Sequence, residues 1–206
     1  MAVKLLQPNA TVFNSMTING GVTAHSVLSD SNDNTSVRTQ DINKVSIVRV
    51  EDFDAASLGA ISIDYVQAVM FGFLFNTRTE DVDVNVKILN SSATVLYTEV
   101  WNLTMNGYSS VKFTGAQRTT SDGSNAWTVD DVDGLMIRLD TYAEDPPNIS
   151  WANFTKTYIA VTYQEGYQND VKGVDGGWND HSTSGDNRID KVNGITTGNI
   201  AKINGV

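Results

Sequence analysis

Carboxylates are the side chains of this sequence with the widest choice of chemistry. The chain has 24 Asp and Glu residues but only 2 His residues, and it lacks Cys. Two carboxylates at the correct separation suffice for glycoside hydrolysis, whereas a Ser-His-Asp triad would have to recruit His25 or His181 from polar segments. The sequence contains no nucleophile elbow, phosphate-binding loop or zinc motif. We therefore expect no catalytic residues and interpret the protein as a non-enzyme.

Two polar segments carry oxygen ligands in patterns that approach a calcium loop. Asp30, Asn32 and Asn34 alternate as calcium ligands do, but Thr35 replaces the glycine of the sixth position and Asp41 the glutamate of the twelfth. The later segment adds carboxylates without a recognised spacing: Asp170, Asp175 and Asp180. We expect no metal site and no cofactor, with bound calcium as the open alternative.

A third acidic segment, WTVDDVDGL, runs from residue 127 to residue 135. Thr128 followed by Asp131 matches a helix-capping pair, so the segment predicts one short helical turn. Asp130 and Asp133 would crowd that turn. A structural cap is the preferred interpretation, and a cation or acid-base site is the alternative.

The four tryptophans divide into two pairs by their surroundings. Trp101 and Trp127 lie at strand ends or turns, where we expect them to pack. Trp151 and Trp178 lie in polar loops, and an indole there gains from burial against a partner or from stacking on a sugar ring. These two residues are candidate glycan or partner contacts, and packing against the protein's own surface is the alternative.

The elements that must position these side chains are predicted to be β-strands, because alternation with period two dominates the chain. In residues 82–88, Val82, Val84, Val86 and Ile88 share one face, and a turn leads into a second strand at 94–100. Further strands are predicted at 45–50, 60–65, 69–75, 111–115, 135–142 and 156–163. Residues 69–75 are apolar on both faces, which is typical of a central strand. The pattern predicts an all-β fold, an antiparallel β-sandwich or barrel with extended N- and C-terminal arms.

Changes in composition predict four segments along the chain. Residues 1–44 form an N-terminal arm or edge segment, and residues 45–163 form the sandwich. Residues 164–188 are rich in Gly, Asp and Asn and are interpreted as a linker. Residues 189–206 form a C-terminal arm.

The C-terminal arm is a short apolar repeat with a period of eleven, IDKVNGI followed by IAKINGV. Asn-Gly is a strong turn signal, so each copy presents two apolar residues on a polar tether. We expect this arm to dock on a neighbouring subunit or to add strands to its sheet. The predicted contact residues are Ile189, Val192, Asn193, Gly194, Ile195, Ile200, Ile203, Asn204, Gly205 and Val206.

Net charge restricts the partners that this chain could bind. The formal charge is −10, with 14 basic residues and no basic run, so nucleic acid and anionic membrane surfaces are not expected partners. The N-terminal sequence lacks the apolar core of a signal peptide. We therefore expect synthesis in a cytoplasm without export.

Two sequence blocks resemble a known group of proteins. WTVDDVDGLMIRL from residue 127 and TYIAVTY from residue 157 resemble the end of jelly-roll-like domains in tailed-bacteriophage virion proteins, and the ending KINGV resembles short terminal repeats of phage structural proteins. The resemblance implies a jelly-roll-like sandwich and a non-enzymatic virion component, such as a capsid decoration protein, a fibre or a minor tail protein. It implies other copies of the chain and other virion proteins as partners.

Two alternatives remain beside the virion interpretation. The first is a carbohydrate-binding module that uses Trp151 or Trp178, with or without calcium, to attach to a host or surface glycan. The second is a cellular filament or surface-layer subunit, which would need an export route. A decoration protein can carry a sugar-binding face, so the virion and glycan interpretations are compatible.

Overall fold

The computed structural model describes residues 1–30, 32, 34–41, 43–75, 82–103, 109–142 and 151–166, and the backbone of residues 191–192 and 195–196. The chain divides into two compact units, Met1–Gly166 and Tyr167–Val206. The predictions for Trp178 and for most of the closing repeat lie outside the described residues.

Strands make up most of the regular secondary structure of the first unit. They are β1 (Ala2–Leu6), β2 (Pro8–Asn14), β3 (Thr17–Asn19), β4 (Ser36–Thr39), β5 (Val45–Val50), β6 (Ala60–Phe75), β7 (Val82–Leu89), β8 (Val95–Leu103), β9 (Val111–Thr114), β10 (Met136–Tyr142) and β11 (Trp151–Glu165). The helical elements are short: α1 (Ala24–Ser29), α2 (Ala55–Leu58) and one 3-10 turn (Asp130–Val132). None of the helices in the described ranges is long and apolar enough to cross a bilayer.

The strands form two antiparallel sheets. Sheet A has the order β3-β4-β11-β6-β9, and β1 also pairs with β11, beside the C-terminal half of that strand. Sheet B has the order β2-β5-β10-β7-β8. Side chains from both sheets share one hydrophobic core. The predicted antiparallel, jelly-roll-like β-sandwich is therefore confirmed.

Strand β7 shows how the alternating pattern builds the sandwich. Val82, Val84, Val86 and Ile88 are buried in the core, while Asp83, Asn85 and Lys87 keep partial exposure. Because successive residues of a strand point to opposite faces, the apolar half lies against sheet A and the polar half faces solvent.

The long strand β6 differs from the sequence prediction of two strands, 60–65 and 69–75. It runs without interruption and pairs with β11 along most of its length. The intervening residues Val66, Gln67 and Ala68 include no turn former, so nothing stops the strand between the two predicted segments. Three register shifts against β11 absorb the twist that so long a pair accumulates.

Residues 1–44, predicted as an arm or an edge segment, contain strands β1 to β4 and helix α1. Strand β2 is an edge of sheet B, and β3 is an edge of sheet A. After β3, α1 begins at a capping box formed by Thr23 and Ser26 and buries Val27 and Leu28. The segment therefore contributes both to the sheets and to the core.

The second unit has one described element, a two-stranded antiparallel hairpin. Strands β12 (Lys191–Val192) and β13 (Ile195–Thr196) pair so that Val192 lies opposite Ile195. This register leaves two residues for the connection, the number that an Asn-Gly hairpin turn uses.

Candidate functional site

Sheet A has one face toward the core and one face away from it, and the strand pleat decides which residues lie on each. On β6, Val66 and Met70 belong to the core, so residues of the opposite parity point outward. The register pairs Val66 with Val161 and Ala68 with Ile159. These partners on β11 also belong to the core. Residues that are paired across the two strands therefore point to the same side of the sheet.

The outward positions of these two strands carry a set of aromatic side chains, which we call the aromatic face: Tyr65, Phe71, Phe73, Phe75, Trp151 and Tyr158. Trp151 lies directly opposite Phe75. The ring centroids of Phe71 and Tyr158 are 6.3 Å apart. Phe73 is buried, whereas the other rings are partly or largely exposed. The sandwich therefore presents ring surface to solvent on the side of sheet A that faces away from the core.

The aromatic face is extended along the strands. Strand β11 rises about 3.3 Å per residue, so Trp151 and Tyr158 are roughly 20 Å apart. A register shift between Phe154 and Lys156 lies between them. Such a bulge re-aims side chains locally and here keeps both rings on the outward side. The face is long enough to contact several units of a linear chain.

Polar groups from two strands hold Trp151 in place. The Arg38 guanidinium lies 4.6 Å from the centroid of its ring. The Asn153 side-chain amide donates to the Trp151 carbonyl oxygen at 2.9 Å, and the Ser36 hydroxyl donates to Asn153 Oδ1 at 3.2 Å. The cation-π contact restrains the indole, and the hydrogen bonds fix the backbone that carries it. The ring can therefore receive a ligand with little further loss of conformational freedom.

Arg38 also brings hydrogen-bonding capacity to the edge of the aromatic face. Its Nε is buried and has no hydrogen-bond partner among the described residues. Lys156 lies on the same face, with Nζ 6.0 Å from the Tyr158 ring centroid. Apolar ring surface edged by charged donors is an arrangement that can bind an amphipathic ligand.

The tryptophans predicted from sequence have different positions in the structure. Trp101 and Trp127 are in the core, as predicted. Trp101 stacks on Phe113 with centroids 5.5 Å apart, and Trp127 Nε1 donates to the Arg118 carbonyl at 2.7 Å. Trp151 lies on the aromatic face, and Trp178 lies outside the described residues.

The ten predicted contact residues of the C-terminal arm are described only in part. Val192 and Ile195 lie on paired strands, and the other eight residues of the set lie outside the described part of the chain. Their role in docking stays a prediction.

In the acidic segment at 127–135, carboxylates accept hydrogen bonds from the protein's own groups. Asp131 accepts from the Thr128 backbone NH at 2.8 Å and from its hydroxyl at 2.7 Å, which confirms the predicted capping pair. Asp133 Oδ1 accepts from the Phe53 backbone NH at 2.9 Å. The carboxylates of this turn therefore satisfy backbone donors.

The loop that approaches a calcium pattern is closed by its own hydrogen bonds. Asp30 accepts from the Asn32 backbone NH at 2.9 Å and from the Thr35 hydroxyl at 2.9 Å. Asn32 Oδ1 accepts from the Asn34 backbone NH at 3.0 Å. Thr35 stands at the position where a calcium loop needs glycine, and its side chain instead hydrogen-bonds to Asp30. In the described part of the chain, no group of three or more acidic or His residues is placed to hold a metal ion, and Asp170, Asp175 and Asp180 lie outside it.

The aromatic residues of β6 were not predicted from the sequence to form a surface. Residues 69–75 were interpreted as a central strand buried on both sides. Strand β6 does lie between β11 and β9, but Phe71 and Phe75 keep exposed area on the outward side. The available signal was the alternation of Phe71, Phe73 and Phe75, which places three rings on one face of a strand.

No family model matches this chain, and no curated protein matches it. Among solved structures, it is similar to a family 35 carbohydrate-binding module from Clostridium thermocellum, with 12% identity and a TM-score of 0.43 over 80% of this chain and 100% of that chain. It is also similar to the xylan-binding module CBM15, with 9% identity and a TM-score of 0.46 over 80% of this chain and 99% of that chain. A tailspike protein 4 domain of bacteriophage CBA120 is similar over 78% of this chain and 19% of that chain, with 8% identity and a TM-score of 0.38. Likeness of this degree assigns neither a family nor a ligand.

Proposed function

We propose that this protein binds carbohydrate through the aromatic face of sheet A. The observation that carries the proposal is the row of outward rings on β6 and β11, with Trp151 held by Arg38 and Asn153. A pyranose ring has an apolar face of C–H groups, which carry partial positive charge. An aromatic ring has a negative face, so the two stack favourably.

The polar groups of the face supply the second requirement of sugar recognition. Sugar hydroxyls need donors and acceptors at the edge of the stacked ring. Arg38 is partly exposed beside Trp151, and Tyr158 carries a phenolic hydroxyl on a partly exposed ring. An extended face of this kind fits an internal stretch of polysaccharide chain. The proposed activity is binding, with no chemical step.

The test compares aromatic truncations on the two sides of the sandwich. Trp151→Ala removes an anchor of the face, and Tyr142→Ala removes a ring that is 47% exposed on β10 of sheet B. We expect the wild-type protein to bind members of a polysaccharide panel in affinity electrophoresis and calorimetry. Trp151→Ala should cost at least about 2 kcal/mol, roughly thirtyfold in affinity, and Tyr142→Ala should bind like the wild type.

Two outcomes would contradict the proposal. One is a folded wild-type protein that binds no member of the panel. The other is an equal loss of binding in Trp151→Ala and Tyr142→Ala, because the binding would then not depend on the face. Circular dichroism and thermal melting of both variants establish that each is folded.

A second proposal concerns the C-terminal unit and is compatible with the first. The hairpin of β12 and β13 pairs Val192 with Ile195 in a unit separate from the sandwich. Together with the closing Asn-Gly repeat, this hairpin supports the proposal that the chain is a virion component attached to its particle through the C-terminal arm. The glycan-binding face would then be displayed for attachment to a host surface.

Truncation tests the second proposal independently of the first. A version that ends at Asp186 keeps the whole first unit and loses the repeat. We expect it to bind glycan like the full chain and to lose its oligomeric mass or its incorporation into particles, measured by light scattering and by particle composition. Normal assembly of the truncated chain would overturn the docking role.

A further inference from the structure

Cations collect on the aromatic face. The register of sheet A places Lys156 of β11 opposite Phe71 of β6, and Phe71 opposite Lys112 of β9. Two lysines therefore flank one phenylalanine on the outward side. Adjacent strands are about 4.8 Å apart, so the Cα atoms of the two lysines are roughly 10 Å apart.

A third cation lies in the next row across the sheet. Arg38 of β4 is opposite Asn153 of β11, and Asn153 is opposite Phe73 of β6. The two rows are neighbours on the same face, and each contains one phenylalanine and at least one cation. Both rows therefore bring positive charge to the same face, where an anionic partner could bind.

Of the described cationic side chains outside this face, all but Arg49 pair with a carboxylate. Lys4, Lys44, Lys87, Arg118 and Arg138 each pair with a carboxylate. Arg38 and Lys112 have no carboxylate within ion-pair distance among the described residues. In a chain of net charge −10, acidic partners are abundant, so a face with two cations that lack them has the capacity to bind an anion.

Carboxylates are also absent from the outward positions of this part of the sheet. Along β11 from 151 to 162, and at the paired positions of the described neighbouring strands, the outward residues are aromatic, apolar, neutral polar or cationic. The nearest carboxylate of the face is Asp64, which accepts from Gln164 at 2.9 Å. It lies beyond Thr162, at the opposite end of β11 from Trp151.

We infer that the ligand of the aromatic face is an anionic polysaccharide, whose sugar rings carry carboxylate or sulfate groups. This inference rests on the proposed glycan binding and specifies its chemical class. The rings stack on the apolar sides of the sugars, while Arg38 and Lys112 bind the anionic substituents from the two flanks of the face. Arginine suits this role because its planar fork matches a carboxylate or sulfate. The net negative charge of the chain repels a polyanion at long range, so recognition depends on these local cations.

The experiment uses a pair of polymers that differ only in charge. Polygalacturonate carries a carboxylate on each sugar, and its methyl ester has the same backbone without the charge. We expect the wild-type protein to bind polygalacturonate at least tenfold more tightly than the ester in low salt. Dextran sulfate and dextran form a second pair, which distinguishes sulfate from carboxylate as the preferred anion.

Variants then locate the origin of the preference. Lys112→Gln and Arg38→Gln should each lower the ratio of the two affinities by roughly two- to fivefold, as expected for exposed ion pairs. Arg49→Gln is the matched control, because Arg49 is an exposed cation on β5 of sheet B. It changes the net charge equally and should leave the ratio unchanged.

The outcomes separate this inference from the proposed function. Equal binding of the charged polymers and their neutral counterparts would overturn the anionic class and keep glycan binding. A loss in Arg49→Gln as large as that in Lys112→Gln would also overturn the inference, because the attraction would then be general rather than local. Failure to bind either member of both pairs, or any other glycan, would overturn the proposed function and this inference together.

Discussion

The outward faces of sheet A and sheet B belong to the same sandwich but treat their charges in opposite ways. On sheet B, Asp140 accepts from Lys87 Nζ at 2.6 Å and from Arg138 Nε at 2.6 Å. On sheet A, Arg38 lies over an aromatic ring and its Nε has no hydrogen-bond partner in the described residues. The cluster around Asp140 neutralises its own cations and needs no ligand. On sheet A, cations lie beside rings without acidic neighbours, so this face retains the capacity to bind a ligand. Solvent exposure alone does not distinguish the face of sheet A from that of sheet B.

Removal of the central carboxylate of sheet B is expected to have the largest effect on stability. Asp140→Ala leaves Lys87 directly opposite Arg138 in the register, and like charges in that position repel. We expect the free energy of unfolding to fall by about 2–3 kcal/mol, measured by urea denaturation. Glycan binding should persist, because this cluster lies on the other sheet.

The matched control for this change is Asp83→Ala on the same face. Within the described part of the chain, Asp83 accepts only a neutral donor, Asn102 Nδ2 at 2.9 Å, so its loss should cost less than about 1 kcal/mol. Equal costs for the two variants would show that the charge cluster of Asp140 is no more important to the fold than a single surface hydrogen bond. Loss of glycan binding in Asp140→Ala would break the proposed separation of the two faces.

The next largest effect is expected for a substitution in the layer beneath the aromatic face. A Cβ at Gly72 would lie 2.6 Å from the Asn153 carbonyl oxygen and 3.2 Å from the Trp101 ring. Gly72→Ala must therefore push β6 away from β11, at a cost of about 1–3 kcal/mol in the free energy of unfolding. Because those two strands carry all six rings, glycan affinity should fall as well. A variant with unchanged stability and affinity would show that the strand pair yields easily at this point.

Much of the fold could be predicted from sequence because its determinants are local. The alternation in β7 identifies its buried face directly, and Thr128 with Asp131 identifies a cap within four residues. The extent of β6 was not predictable in the same way. Two apolar segments separated by Val66, Gln67 and Ala68 become one strand because β11 pairs with both, and that pairing joins residues far apart in the chain.

The site was less predictable than the fold, for a related reason. Trp151 was identified because an indole in a polar segment is conspicuous by itself. The rings of Phe71 and Tyr158 become a surface only when the register places β6 beside β11. Lys112 was not identified, because its significance comes from its place two strands away from Lys156. Sequence shows the type of each side chain, whereas the face depends on which strands are neighbours.

A smaller effect concerns the contact between Arg38 and Trp151, which links charge to ring on sheet A. A double-mutant cycle with Arg38→Met and Trp151→Leu isolates their interaction. We expect a coupling of about 0.5–1 kcal/mol in the free energy of unfolding, the range of a partly exposed cation-π pair. A coupling of zero would mean that the guanidinium does not restrain the indole, and the preorganisation assigned to Trp151 would then lack its main cause.

The smallest effect is expected for a carboxylate that belongs to neither outward face and meets only neutral donors. The backbone NH groups of Asn125 and Ser124, at 2.8 and 2.9 Å, and the Asn125 side chain, at 2.7 Å, hold the pKa of Asp122 below its usual value of 3.8. Since the folded pKa is the lower one, the stabilisation is fully present above pH 3.8 and is lost as the pH falls through the folded pKa. NMR titration of the side-chain carbonyl should show the depressed pKa directly. Asp122→Asn should remove this part of the acid sensitivity of the loop. An ordinary pKa for Asp122 in the titration would show that amide donors without a nearby cation do not hold an exposed carboxylate in its charged form.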